Sequence, residues 1–271
     1  MKYFKSIILY YFKNFWFLML FSIIPAVFVG LLLKPFQFVQ FLYAYPSLTL
    51  GNFADFFYGI LPFDWLTLLL GFIGLVLTAV IISMLLGKIE KNFRIGKNSY
   101  SLKETGFNNN FSSVLIGIFC VAFCYFVIAL LGVVLIMLFN FIFASINAVV
   151  VSVILSYMVC MLCFWLTSAI TIHFGVVASD MMITGSTFAT AMSNASQAIH
   201  KNTWQNLLIG FVPFLIAILL TLLGCWLGIL WLTNIISMLI IIPYTCVLVM
   251  IIFFDYYGLT RYDTRPYYNL K

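Results

Sequence analysis

The sequence predicts an all-α, polytopic membrane protein: six transmembrane helices paired as three antiparallel hairpins, with interfacial lead-in helices. Three observations carry this expectation. First, 65% of the 271 residues are hydrophobic and 7% are charged, whereas a soluble domain carries about a quarter charged residues. So few charges cannot cover a water-facing surface. Second, six apolar runs of bilayer-spanning length alternate with short polar segments. Third, one phrase occurs twice: Lys13-Asn14-Phe15-Trp16 with Pro25, and Lys201-Asn202-Thr203-Trp204 with Pro213. In each copy a cation, an amide and an indole stand where an apolar run begins, and proline follows the lysine by twelve residues. That order suits a helix entering a membrane.

Residues 1–13 mix Lys2, Lys5 and Lys13 with aromatic and aliphatic side chains, as expected of a helix lying among headgroups. The apolar stretch that follows outruns a signal peptide and lacks a small-x-small cleavage site, so it reads as a retained first span from Phe15 to Leu33. Pro25 is tolerated there because neighbouring helices can satisfy the backbone groups it frees. Residues 34–64 are rich in rings and broken by Pro35, Pro46, Gly51, Asn52 and Pro62, which predicts short pieces along the outer interface. They form an aromatic belt, or alternatively a lid or partner surface built on Phe56, Phe57 and Tyr58. The second span is expected from Trp65 to Leu86, ending at Gly87, with the polar stretch from Lys88 to Glu104 beyond it.

The third and fourth spans, Ser113 to Phe139 and Ala148 to Ile172, are joined by Asn140 to Asn147, short enough to force a hairpin. After His173 the chain should leave the apolar core. Residues 187–200 then read as a mildly amphipathic lead-in to the second phrase. The fifth span runs from Leu207 to Leu230, turns at Asn234 and continues as a sixth from Ile235 to Phe254. With six spans, twelve of the thirteen Lys and Arg residues fall on one side, and Lys34 alone falls on the other. Cations near spans are retained in the cytoplasm, so both termini are expected there and the protein is expected in the plasma membrane.

The two phrases lie 188 residues apart, and half that offset falls on Phe107-Asn108-Asn109-Asn110. A single transmembrane domain over 1–271 would then hold three parallel repeat units, 1–95, 96–188 and 189–271. The middle unit lacks both the Trp and the Pro. The small and polar lead-in, the Asn-x-Trp entry and the long span, over residues 2–30 and 189–220, resemble the six-span bacterial membrane proteins related to YesL and the membrane domain found beside some glycerophosphodiester phosphodiesterases. The resemblance implies a bacterial plasma-membrane protein and supplies no catalytic residue.

Chemistry-bearing residues are sparse. No Lys, Arg, Asp, Glu or His falls near the middle of an expected span, which argues against a charged midplane relay. His173 and Asp180 are seven apart and would share a helix face near Ser168 and Ser179, but no Gly-x-Ser-x-Gly or His-Glu-x-x-His accompanies them. An interfacial structural role is the plainer reading. Cys120 with Cys124 and Cys160 with Cys163 would lie at similar depth in their hairpin and could offer thiolates to Zn²⁺ or Cu⁺, although apolar packing explains them equally. Arg261 and Arg265 in the aromatic tail could grip phosphate or serve as cytoplasmic anchors. Gly224 and Gly228 form a Gly-x-x-x-Gly that allows close helix approach.

These features exclude nucleic acid as a partner and call for no cofactor, metal or catalytic residue. Expected partners are membrane lipids together with a membrane protein or a second copy, met through Trp16, Trp204, Arg261, Arg265, Phe56, Phe57 and Tyr58. The expected function is non-enzymatic: an accessory or scaffold subunit of a membrane assembly. The alternative is a transporter or lipid-handling permease for an uncharged or lipidic substrate, and the least favoured reading is an intramembrane enzyme.

Overall fold

The computed structural model describes residues 2–44, 65–96, 107–144 and 149–264, and among these every regular element is helical. The helices are α1 (Lys2–Lys13), α2 (Phe15–Phe28), α3 (Gln37–Ala44), α4 (Trp65–Ile95), α5 (Phe107–Ala144), α6 (Val149–Thr184), α7 (Phe188–His200), α8 (Thr203–Leu227) and α9 (Leu230–Tyr256). Six stretches are long and apolar enough to cross a membrane: α2 continued through a π-helical turn to Leu32, and α4, α5, α6, α8 and α9. Their outward faces carry exposed Leu131, Leu138, Phe141, Leu219, Leu223 and Trp226. Water would make these stripes sticky, whereas lipid tails cover them at no cost.

The bundle is organised around α9. Of its span 72% is buried, against 22–44% for the other five, and it touches α1, α2, α4, α6, α7 and α8. A helix apolar on every side belongs at the centre of its bundle. Spans that follow one another pack in pairs, α2 with α4, α5 with α6 and α8 with α9, the last pair including the central helix itself. Both described ends of the chain meet at one face: Tyr3 of α1 donates its phenol proton to Asp255 at the end of α9. There the ring of Phe93 lies 4.8 Å from Tyr10 and 5.4 Å from Phe254, with the Arg261 guanidinium 5.3 Å above it.

Each copy of the repeated phrase marks the same event. Asn14 breaks α1 from α2, with its side-chain amide donating to the Tyr10 carbonyl at 3.1 Å, and Asn202 breaks α7 from α8. Proline then lies buried inside each following helix. Pro213 cannot bond to the Ile209 carbonyl four residues back. That carbonyl instead accepts the Tyr244 hydroxyl of α9 at 3.0 Å. Thus the neighbour closes the gap that the proline opens. Tyr244→Phe is expected to lower stability by about 1 kcal/mol, read as a fall in the thermal midpoint in detergent. In a Pro213→Ala background, where the helix takes the carbonyl back, the loss should shrink.

The structure corrects several boundaries. Spanning helices overrun the expected ends: α4 continues through Gly87 to Ile95, and α6 continues through His173 to Thr184. In each case the stop is a glycine at positive φ, Gly96 at +70° and Gly185 at +69°. A glycine inside a helix costs only about 1 kcal/mol, so Gly87 is carried along. Similarly α8 ends at Gly228 (φ +72°), and the turn falls before Asn234, which lies buried inside α9.

The expectation for residues 34–64 is also corrected, over the part described. After the π-turn Val29–Leu33, Lys34 adopts φ +40° and the chain doubles back as α3. Phe36, Phe38, Val39 and Leu42 are buried rather than arrayed along an interface. Phe36 stacks on Phe164 at 5.1 Å, and Gln40 donates to Asn234 at 3.1 Å. Rings suit a belt and a core equally well, and here packing against α6 and α8 decides.

Candidate intramembrane cavity

Helices α4, α5, α6 and α9 pack with mostly apolar side chains on their facing sides, and between them lies a cavity of about 630 Å³. On α4 it is lined by Gly71, Leu75, Thr78, Ile82 and Leu86, a stripe at the spacing of one helix face. On α5 the lining runs from Val114 to Ala129, fifteen residues or roughly 22 Å at the helical rise. Small residues border it and let the helices approach at its edge: Gly117 of α5 packs against Ala178 of α6, and Gly175 of α6 against Val249 of α9. Pro35 and Phe36 line the end away from the termini, where Tyr125 donates to the Pro35 carbonyl at 2.7 Å. Two lining residues, Phe72 on α4 and Phe126 on α5, are well exposed, so the cavity reaches close to the outer surface of these two helices, where Phe72 packs on Phe119 at 5.8 Å.

Polar atoms in the wall are few, and most are engaged. Thr167 donates to the Cys163 carbonyl at 2.8 Å, and Thr171 to the Thr167 carbonyl at 2.7 Å. Thr78 is 4% exposed, and its hydroxyl oxygen, closed off from the cavity by its surroundings, has no hydrogen-bond partner among the described residues. Binding pockets for small molecules measure about 300–1,000 Å³ and are mainly apolar with a few polar groups. This cavity fits that description.

A second polar constellation lies at the terminal face. Asp180, 1% exposed, accepts Tyr257 Oη at 2.6 Å and Thr184 Oγ1 at 3.4 Å on one carboxylate oxygen. Its other oxygen accepts Asn194 Nδ2 at 2.9 Å and Ser186 Oγ at 3.0 Å. The carboxylate therefore ties the end of α6, the turn after it, α7 and the start of the tail together. His173 is not among its partners: the ring is half-buried and lies edge-on to Phe174 at 5.6 Å. Ser179 donates to the Gly175 carbonyl, and Ser168 is buried. The residues weighed as a catalytic set are thus not assembled as one.

Alkaline pH should loosen this face. Burial first, and then the Asp255 carboxylate it donates to, push the Tyr3 phenol up to about 12. Burial and then Asp180 likewise hold Tyr257 above the usual phenol value. Both favour the neutral phenol in the folded chain, so their stabilisation is intact below about pH 10. For Tyr3 it is lost as pH rises from there through about 12. Limited proteolysis near Arg261 should accelerate over that window, and Tyr3→Phe should make the acceleration shallower.

The remaining sequence expectations divide. Trp16 and Trp204 are 82% and 75% exposed at matching helix entries. Arg261 is partly buried, above Phe93 and 3.5 Å from Asp263, so it is held by its own chain rather than presented to a phosphate. Arg265, Phe56, Phe57 and Tyr58 lie outside the described residues. The two cysteine pairs do not meet: Cys163 faces Gly132 of α5, eight residues or roughly 12 Å from Cys124. Among the described residues no three His, Cys, Asp or Glu side chains are grouped to hold a metal. Gly224 does permit close approach, against Thr233 of α9, whereas Gly228 has open space and serves as the cap.

The permease reading calls for a central cavity enclosed by the three hairpins and capped by residues 34–64; what sequence reasoning missed is which residues line it, because the faces of α4, α5, α6 and α9 that converge are known only once the helices are packed. No protein-family model, curated protein or solved structure matches this chain.

Proposed function

We propose that this chain is a plasma-membrane protein, with both termini cytoplasmic, that takes an uncharged apolar or lipidic molecule from the bilayer into its helix bundle. It is a lipid-handling permease rather than an enzyme. The observation that carries this reading is the apolar cavity of about 630 Å³ bordered by α4, α5, α6 and α9, with its lining residues Phe72 and Phe126 exposed on the outer surface. Among the described residues its wall has no charged side chain, so it would repel an ion and accept a chain of methylenes. Cytoplasmic termini follow from the cation count, because Lys5, Lys13, Lys201 and Arg261 lie at the terminal face and Lys34 at the far one. The kinship to YesL-like proteins belongs to the same proposal and rests on the two Asn-x-Trp entries.

Filling the cavity tests the reading. Ala122→Trp should abolish retention of a co-purifying lipid, seen by native mass spectrometry, while the protein stays folded. If the wild-type protein retains no lipid, or the filled variant retains as much, the cavity has no such role. An accessory or scaffold role, through a membrane protein partner or a second copy, is the second reading. Its support is the exposure of Trp16 and Trp204 at equivalent places 188 residues apart. Loss of a co-isolated partner on replacing both indoles would favour it.

A further inference from the structure

Five side chains in the cavity wall carry a hydroxyl, and the fold uses or hides four of them. Tyr125 donates to the Pro35 carbonyl, Thr167 to that of Cys163 and Thr171 to that of Thr167, as a threonine in a buried helix ordinarily does. Thr78 Oγ1 is sealed from the cavity. The fifth is Thr245 of α9. From Ile241 to Phe254 it is the one residue of this central helix that is not buried, and it lines the cavity. The surface it keeps is therefore cavity surface. Among the described residues nothing hydrogen-bonds to its hydroxyl, and Thr245 Oγ1 is not one of the bundle's sealed oxygens.

The depth of this group follows from its neighbours. Gly175 of α6 packs on Val249 of α9, and nearer the terminal face Tyr257 reaches Asp180, so α6 and α9 run in the same direction. One turn back from the first contact stand Thr171 and Thr245, both half-buried and both in the wall. On parallel helices residues one turn back share a level, so the two threonines form a polar step on this side of the cavity. Thr245 is fifteen residues from Leu230 and eleven from Tyr256, roughly 22 Å and 16 Å along α9. That is near the middle of a hydrocarbon layer about 30 Å thick, where neither water nor a headgroup is at hand.

We propose that the cavity holds an uncharged lipid carrying a carbonyl or similar acceptor oxygen at mid-chain depth, and that Thr245 donates its hydrogen bond to that oxygen. This inference rests on the cavity reading above and adds to it the polarity of the ligand and the level of its polar group. Among the described residues no charged side chain lines the wall, so a charged group at this depth would go unanswered. A bare hydrocarbon would leave the Thr245 hydroxyl as it stands, open and unused.

The test uses the full chain in phosphatidylcholine vesicles with two photoreactive probes of equal length, a long-chain ketone with its carbonyl at mid-chain and the corresponding alkane, each bearing a terminal diazirine. Labelled positions are read by mass spectrometry. The ketone should label cavity residues in preference to the alkane. Thr245→Val, which keeps the shape and removes the hydroxyl, should weaken ketone labelling by roughly fivefold, the measure of one neutral hydrogen bond. Alkane labelling should stay unchanged, which also shows that the variant folds, and Thr245→Ser should restore the ketone. A ketone preference that survives Thr245→Val would overturn the assignment to this residue. Equal labelling by both probes would overturn the selectivity and leave a cavity filled by bulk lipid. Absence of cavity labelling by either probe would overturn the underlying reading as well.

Discussion

Replacing Asp180 by alanine is expected to cost about 2–3 kcal/mol of stability, the scale of losing several hydrogen bonds to one buried carboxylate. The carboxylate is 1% exposed and gathers donors from Tyr257, Asn194, Ser186 and Thr184. Removing it takes the acceptor from Asn194 and Ser186, which are half-buried, and from Tyr257 and Thr184, which are exposed and can turn to water, so the cost is that of the lost hydrogen bonds to a carboxylate rather than of stranded buried donors. Asp180→Asn should fall between, because its amide nitrogen must point at one of the existing donors. The thermal midpoint in detergent gives the ranking wild type, Asn, Ala. Proteolysis of the tail beyond Tyr256 should rise in the same order. If alanine were neutral, Asp180 would not be the tie between α6, α7 and the tail.

Gly30→Leu should be comparably damaging, for a steric reason. A side chain at Gly30 would meet the Asn234 carbonyl carbon and oxygen and the Ile235 Cα at 3.1 Å. These are backbone atoms of the central helix and have no rotamer to turn. Even Gly30→Ala requires a shift of a few tenths of an ångström, and leucine must push α2 away from α9, costing on the order of 3 kcal/mol. Gly210→Ala is the useful contrast. There the first obstacle is the Ile172 Cδ1 atom, the end of a side chain that can swing aside, so the loss should be smaller. Poor membrane accumulation of Gly30→Leu, with Gly210→Ala near wild type, is the expected pair of results.

The fold was legible where the physics is one-dimensional. Spans, hairpin order and the shared side of the termini follow from apolar run length and from where cations stand, and both are local properties of the chain. The breaks at Asn14 and Asn202 were announced by the repeated phrase. The helix ends were less legible, because hydropathy marks the lipid boundary, while α4 and α6 stop only at Gly96 and Gly185, where the backbone itself turns.

The site was the least legible part. Phe36 and Phe38 could have been belt or core, and nothing short of their packing against α6 and α8 distinguishes the two. Asp180 was singled out with His173 on the strength of spacing, yet its partners came from Asn194 and Tyr257, on elements separate in sequence. Thr245 gave no signal at all. A threonine in an apolar run normally satisfies itself, and only the finished wall reveals one that does not.

The central claim is that six helices cross a bilayer and leave the cationic ends, with both termini, on the inner side. Single cysteines at Lys34 and at Lys201, both exposed, in a background lacking the six native cysteines, test it in intact cells with a membrane-impermeant maleimide. The account predicts immediate labelling at position 34, and labelling at position 201 only after the membrane is opened. Labelling of both positions from the same side would contradict it.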